Sequence, residues 1–176
     1  MQNFIINITQ ENFEILKDEN AACFIISPNL SSSFKQNFIS QAKKVGKICL
    51  LSGNQAETDY QTYGADGVIL DLSKEEHPAK IIKNFKKSSP KALLGVISRN
   101  RRHEAMIISE CEPEFIIFKV WNDGFDKSAE LLEWYNEFFL IQCAVWPMEN
   151  LEKSDIQSDF VIVDEAQYHN LSSRKK

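Results

Sequence analysis

Lys119 and Asp71 each stand at the end of a short apolar run, Phe115–Val120 and Gly67–Leu70 respectively. A lysine so placed serves as an anion ligand or a Schiff-base amine, or else as an ordinary surface lysine whose stem covers apolar surface. Asn54 and Ser98 lie just beyond two further runs, Lys47–Ser52 and Ala92–Ile97. With Asp71 they offer short polar groups either to a ligand or to the first N–H groups of a following helix, and both readings remain open. Trp121 and Trp146 sit at the ends of neighbouring runs, where an indole either stacks on an aromatic ligand or fills the space between strand ends.

Other reactive types are scattered. His77 precedes Pro78, His103 falls in a first helical turn and His169 lies in a polar tail, so spacing yields no Ser–His–Asp or Cys–His set. Cys23, Cys49, Cys111 and Cys143 are isolated, with no CxxC and no paired His. That argues against a zinc centre and a secreted disulfide framework, and reads as small buried hydrophobes in a reducing compartment.

The elements that must hold these residues repeat along the chain. Eight apolar runs, Phe4–Ile8, Ala22–Ser27, Lys47–Ser52, Gly67–Leu70, Ala92–Ile97, Phe115–Val120, Ile141–Trp146 and Phe160–Val163, lack polar alternation, as strands buried on both faces do. Between them lie segments of 3.6-residue periodicity: Glu11–Asp18, Ser33–Val45, Ala79–Phe85, Arg101–Ser109 and Asp126–Phe139. One of Ser31, Ser32 or Ser33 caps the second of these, Gly46 ends it, and Ser89-Pro90 stops the next. This alternation predicts an α/β chain, and eight strands favour a closed (β/α)8 TIM barrel over an open sheet.

At 176 residues the barrel is shorter than the ~200–250 usual for the fold, so its helices must be short. After the last run only EAQYHNLSSRKK remains, too polar for a full final helix, which is expected to be missing or reduced. One domain over residues 1–176 is expected, its last ten or so residues a polar tail. An uncovered last strand would favour a homodimer, unless Ala166, Tyr168 and Leu171 of the tail cover it.

A net charge of −5 from interspersed signs offers no basic face to nucleic acid, and the basic tail Arg174, Lys175, Lys176 is too short to change this. No apolar run approaches the ~20 residues that span a bilayer, and MQNFIINITQ lacks a basic leader region. The expected setting is cytoplasmic, with no membrane partner.

The segment NQAETDYQTYGADGVIL at 54–70 resembles the thiamine phosphate synthase and thiazole tautomerase family, in which an Asn-Asp pair, a helix and the string GADGVHL recur at this spacing. Gly64 and Gly67 also have a local reason, since glycine leaves a helix with positive φ. GVISRNRRHEAM at 95–106 is similar to the fifth strand and following helix of α-proteobacterial members. AELLEWYNEFFLIQCAV at 129–145 and SDFVIV at 158–163 extend the likeness over nearly the whole chain.

The resemblance implies a barrel that joins a pyrimidine diphosphate to a thiazole phosphate with Mg²⁺, or that binds such a small phosphorylated ligand. Together with the strand-end reading, it makes Asn54, Gln55, Asp71, Ser98, Lys119 and Trp146 the candidate substrate-binding positions.

Several of that family's features are replaced. The Gln-x-Arg-x-Lys diphosphate grip is Phe24-Ile25-Ile26-Ser27-Pro28, and the metal-binding Asp is Gln55. The His, Gly and Gln after the fourth strand are Ile69, Asp71 and Leu72, and the serine after Gly-Val is Ile97, with Ser98 next to it on the opposite strand face. Lys119-Val120 replaces a Gly-Pro pair, and Trp146-Pro147 replaces the Gly-Gly that holds phosphate. Proline has no N–H to donate to an anion. Expected cofactors are therefore none, with Mg²⁺ lacking its usual ligands, and a non-catalytic binding or interaction barrel is the alternative function.

Overall fold

A computed structural model describes residues 3–153 and 155–173, so Arg174, Lys175 and Lys176 lie outside the described residues. Strands β1 (Asn3–Ile8), β2 (Cys23–Ile26), β3 (Ile48–Ser52), β4 (Gly67–Asp71), β5 (Leu93–Ser98), β6 (Phe115–Val120), β7 (Gln142–Pro147) and β8 (Phe160–Asp164) close in chain order into a barrel. Helices α1 (Ser32–Lys44), α2 (Ala56–Tyr63), α3 (Pro78–Ser88), α4 (Arg102–Ser109), α5 (Phe125–Phe138) and α6 (Glu165–Ser173) accompany them. The fold is a (β/α)8 TIM barrel with short helices. Among the described residues no helix is long and apolar enough to cross a membrane.

The chain packs as two compact units, one formed by Leu70–Val161 and one by Phe4–Ile69 with the segment from Ile162 onward. In the second of these, parallel pairing sets Ile6 opposite Phe24, Phe24 opposite Cys49 and Leu50 opposite Gly67. Helix α1 buries Phe34, Phe38, Ile39 and Ala42, the apolar stripe read from its sequence, and Phe38 meets Phe24 edge-on at 5.4 Å. Ser31 is its cap, accepting the Phe34 N–H at 3.3 Å. Gly64 ends α2 at φ 74°, as expected for a helix exit, whereas Gly67 begins β4 and is not among the positive-φ glycines.

Two expectations need adjustment in this unit. The segment read as a helix over Glu11–Asp18 forms only a four-residue 3-10 turn, Glu14–Lys17, because Asn12 and Asp18 draw nearby N–H groups into local turns. The polar tail is helical: Tyr168 is 2% exposed, packs edge-on to Phe4 at 5.9 Å and donates its hydroxyl to Asp18 Oδ2 at 3.1 Å. Ala166 and Leu171 are exposed, so one aromatic side chain does most of the covering. The final helix is reduced to nine residues, as its polarity required.

The other unit holds β5 to β7 in parallel register, with Gly95 opposite Phe115 and Phe115 opposite Gln142. Tyr135 of α5 is wholly buried, meeting Phe118 at 5.5 Å and sharing a hydrogen bond with Ser109 of α4 at 2.7 Å.

A clasp recurs where three of the strands begin. The Asp66 N–H donates to Cys49 O and its carboxylate accepts the Cys49 N–H, both at 2.8 Å. Glu114 makes the same two-way exchange with Leu94, and Asp159 makes it with Cys143. Each acid immediately precedes an even-numbered strand and pins the odd-numbered strand before it, so a charge-assisted bond fixes register at that end. All four cysteines are free; Cys49, Cys111 and Cys143 are buried and Cys23 is half-buried.

Candidate functional site

Parallel strands in a barrel point their C-terminal ends to one face, where loops carry the chemistry. Asp71 is the last residue of β4 and Lys119 the penultimate residue of β6, and their side chains form an ion pair at 2.8 Å. Asp71 Oδ1 also accepts the Ser73 N–H at 3.1 Å and the Ser73 hydroxyl at 2.6 Å. Burial alone would push the Asp71 carboxyl up, but the bonds from Lys119 and Ser73 and the Lys119 charge outweigh it and hold the group below the ordinary carboxylate range.

Lys119 is opposite Trp146 in the β6–β7 register, and its ammonium lies 5.9 Å from the indole centroid. That distance is within reach of a cation–π attraction. Asp71, Lys119 and Trp146 therefore meet in one cluster. Ser98 does not join it: its side chain is 2% exposed and its hydroxyl donates to the Arg99 carbonyl at 2.8 Å. Asn54 and Gln55 occupy the exposed turn between β3 and α2, in the other unit, and Gln55 stands at the N-cap of α2 without a side-chain cap bond. Trp121 is 45% exposed, which leaves much of its indole in solvent and not plugging the barrel.

Two residues that sequence reasoning passed over organise this cluster. Arg99 Nε donates to the Ser73 carbonyl at 2.9 Å while its guanidinium faces Glu104 at 3.5 Å. Asn100 Nδ2 donates to the Lys119 carbonyl at 2.7 Å. Together they tie the loop after β5 to the loop after β4 and to the end of β6. The polar run SRNRR at a strand end was the available signal.

Beyond β7 the chain satisfies its own donors. Pro147 pairs with Val120 as the last residue of the strand, and the Met148 N–H is spent on the Val120 carbonyl at 2.9 Å. The Asn122 N–H donates to the Glu149 carboxylate at 2.6 Å. The Asn122 side chain donates to the Asn150 carbonyl at 3.0 Å and accepts the Glu152 N–H at 2.8 Å. A comparable seat occurs in the other unit, where the Glu11 carboxylate accepts the Ser31 N–H at 3.0 Å, at the head of α1. Backbone N–H groups in such places are where bound anions are usually held.

The Asp71 carboxylate, the acid at the end of β4, is not free to take up a cation. Both Asp71 oxygens are engaged by Ser73 and Lys119, and among the described residues no three His, Cys, Asp or Glu side chains converge. An octahedral cation needs oxygen ligands free of a competing ammonium.

No protein-family profile matches the chain, and no curated protein matches it. Solved structures do. The chain is similar to the YdjI aldolase from Escherichia coli K12, with a TM-score of 0.69, 9% identity, and coverage of 99% of this chain and 80% of that one. It is similar to a mutant tryptophan synthase alpha-subunit from Pyrococcus furiosus, with a TM-score of 0.64, 12% identity, and coverage of 98% and 91%. Citrate synthase SbnG gives a TM-score of 0.59 at 11% identity, covering 99% and 91%. Identities this low show a shared TIM-barrel fold, which enzymes of different chemistries adopt.

Proposed function

We propose that this chain is a thiamine phosphate synthase-like barrel that has given up diphosphate transfer and serves as a binding or interaction module. The observation that carries the reading is the Glu149 carboxylate seated on the Asn122 N–H. An anion seat filled by the chain's own side chain does not receive a phosphate without displacing it. Pro147 at the end of β7, Asp71 neutralising Lys119, and Glu11 on the Ser31 N–H support the same reading. Transfer of a diphosphate leaving group needs cations and a metal arranged around developing charge.

The test is incubation of pure protein with the pyrimidine diphosphate, the thiazole phosphate and Mg²⁺, following thiamine phosphate and released diphosphate. Neither product is expected above the protein-free control. Catalytic turnover would sink the proposal.

A second reading, that the barrel still binds one phosphorylated precursor, is favoured by the Lys119 ammonium beside the Trp146 indole. That arrangement offers a cation to a phosphate and a flat surface to a heteroaromatic ring. Calorimetry with each precursor alone decides it: saturable binding lost in Lys119→Met supports this reading, and no heat from either removes it.

A further inference from the structure

The β6–β7 ladder ends in an apolar patch. Lys119 stands opposite Trp146 and Val120 opposite Pro147, and the Met148 N–H donates to the Val120 carbonyl at 2.9 Å, so Trp121 and Met148 follow as neighbours. Alternation along the strands sets Trp121 on the side of the Lys119 stem and Met148 on the side of Trp146. Trp121 is 45% and Met148 42% exposed, and Trp146 and Pro147 are partly exposed.

The charge left over around this patch is negative. Lys119 is paired with Asp71 at 2.8 Å and Lys153 with Asp126 at 2.7 Å, so neither cation is in excess. The loops after β6 and β7 also carry Asp123, Glu149, Glu152 and Asp155, all exposed. Asp155 lines, with Asp126, Glu130 and Glu133 of α5, a groove of about 390 Å³. The loop after β5 turns Arg99 and Arg101 to Glu104 at 3.5 and 3.9 Å, and Lys127 is outnumbered by the acids of α5.

We propose that this patch docks a protein segment in which an apolar side chain is flanked by Lys or Arg. The inference rests on the reading of the barrel as a binding module and names the partner's chemistry. An indole buries a large area, a thioether adapts to the incoming side chain, and tryptophan is enriched where binding energy concentrates. The surrounding carboxylates meet the flanking cations, which steers encounter and sets specificity. The same sign turns away nucleic acid and an anionic membrane surface, and a second copy of this chain would bring acid against acid.

The experiment is selection from a random peptide library on the immobilised full chain, followed by titration of the enriched peptides against the free protein by tryptophan fluorescence. Enriched peptides are expected to carry an aromatic or aliphatic residue between Lys or Arg, to shift the emission to the blue, and to bind more weakly as salt is raised. Trp121→Ser combined with Met148→Ser is expected to weaken them about tenfold or more. Circular dichroism and melting midpoint should stay unchanged, because both side chains stand out in solvent. Asp123→Lys combined with Glu152→Lys is expected to weaken them similarly. Leu140→Ser, at a fully exposed position before the other end of β7, should leave affinity at the parent value. Enrichment of acidic or uncharged peptides overturns the proposal, as does binding that survives both double variants. A parent dimer that Trp121→Ser dissociates assigns the patch to a second copy and equally overturns it. An empty selection also overturns it, yet without thiamine phosphate formation the wider reading of a non-catalytic barrel stands; turnover sinks that reading whatever the peptides do.

Discussion

The Lys119 ammonium and the Asp71 carboxylate, 48 residues apart in the chain, stand 2.8 Å apart and join the ends of β4 and β6. The contact uses charge to fasten two strand ends of the barrel, with the Trp146 indole beside the cation. Its side chains are 25% and 46% exposed, so water screens the pair. A coupling of about 0.5–1 kcal/mol is expected from the double-mutant cycle of Lys119→Ala and Asp71→Ala in urea unfolding.

The same pair predicts a pH dependence. Asp71 titrates below its ordinary value in the fold, so its stabilisation is complete above the unfolded-state value of ~3.9 and is lost as pH falls through the lower folded-state value. The stability difference between the parent and Asp71→Asn should be constant near neutrality and shrink in that acid range. A difference that grows on acidification would contradict the ion pair.

Magnesium titrated into the protein is expected to give no stoichiometric heat in the micromolar range, and Asp71→Ala is expected to behave like the parent. A micromolar site abolished by that substitution would mean that Asp71 leaves Lys119 and Ser73 for the metal.

Helix α6 depends on one residue. Tyr168→Ala removes a buried ring from Phe4 and a hydroxyl from Asp18, and is expected to cost about 3 kcal/mol. Tyr168→Phe, which loses only the hydrogen bond, is expected to cost about 1 kcal/mol. Equal losses in thermal unfolding would show that the hydroxyl, and not the ring, anchors the helix.

Gly53 follows β3 at φ +104°, and a methyl group there would lie 2.7 Å from Pro28 Cβ. Gly53→Ala combines a backbone penalty with a clash and is expected to cost about 2 kcal/mol or more, lowering the melting midpoint by about 4–8 °C. Gly46→Ala is the control, since at φ +73° its added methyl meets nothing within 4 Å and the cost should be about 1 kcal/mol.

The strands were legible because burial on both faces leaves unbroken apolar runs, and their observed ends differ from those runs by a residue or so. Helix α6 was harder to see: one buried Tyr168 among polar neighbours produces no periodic stripe. At the strand ends, Asp71 and Lys119 were readable as candidates by position, but not as each other's partner, which depends on strand register. Ser98 has the right type and place, yet a carbonyl one residue away takes its hydroxyl. Glu149 on Asn122 was hidden for a related reason, because residues in two different loops meet only once β6 and β7 have paired. The clasps of Asp66, Glu114 and Asp159 did leave a trace, an acid directly before an apolar run, in DGV, EFI and DFV.

Those three clasps divide the labour of the molecule. Each seals a strand, its crossover and the next strand into a cassette that carries its own alignment key, set at the end away from the loops of the candidate site. Loops at the opposite end are then free to drift in length and chemistry without mis-threading the barrel. A chain built this way can carry different sets of mouth residues and still find its fold.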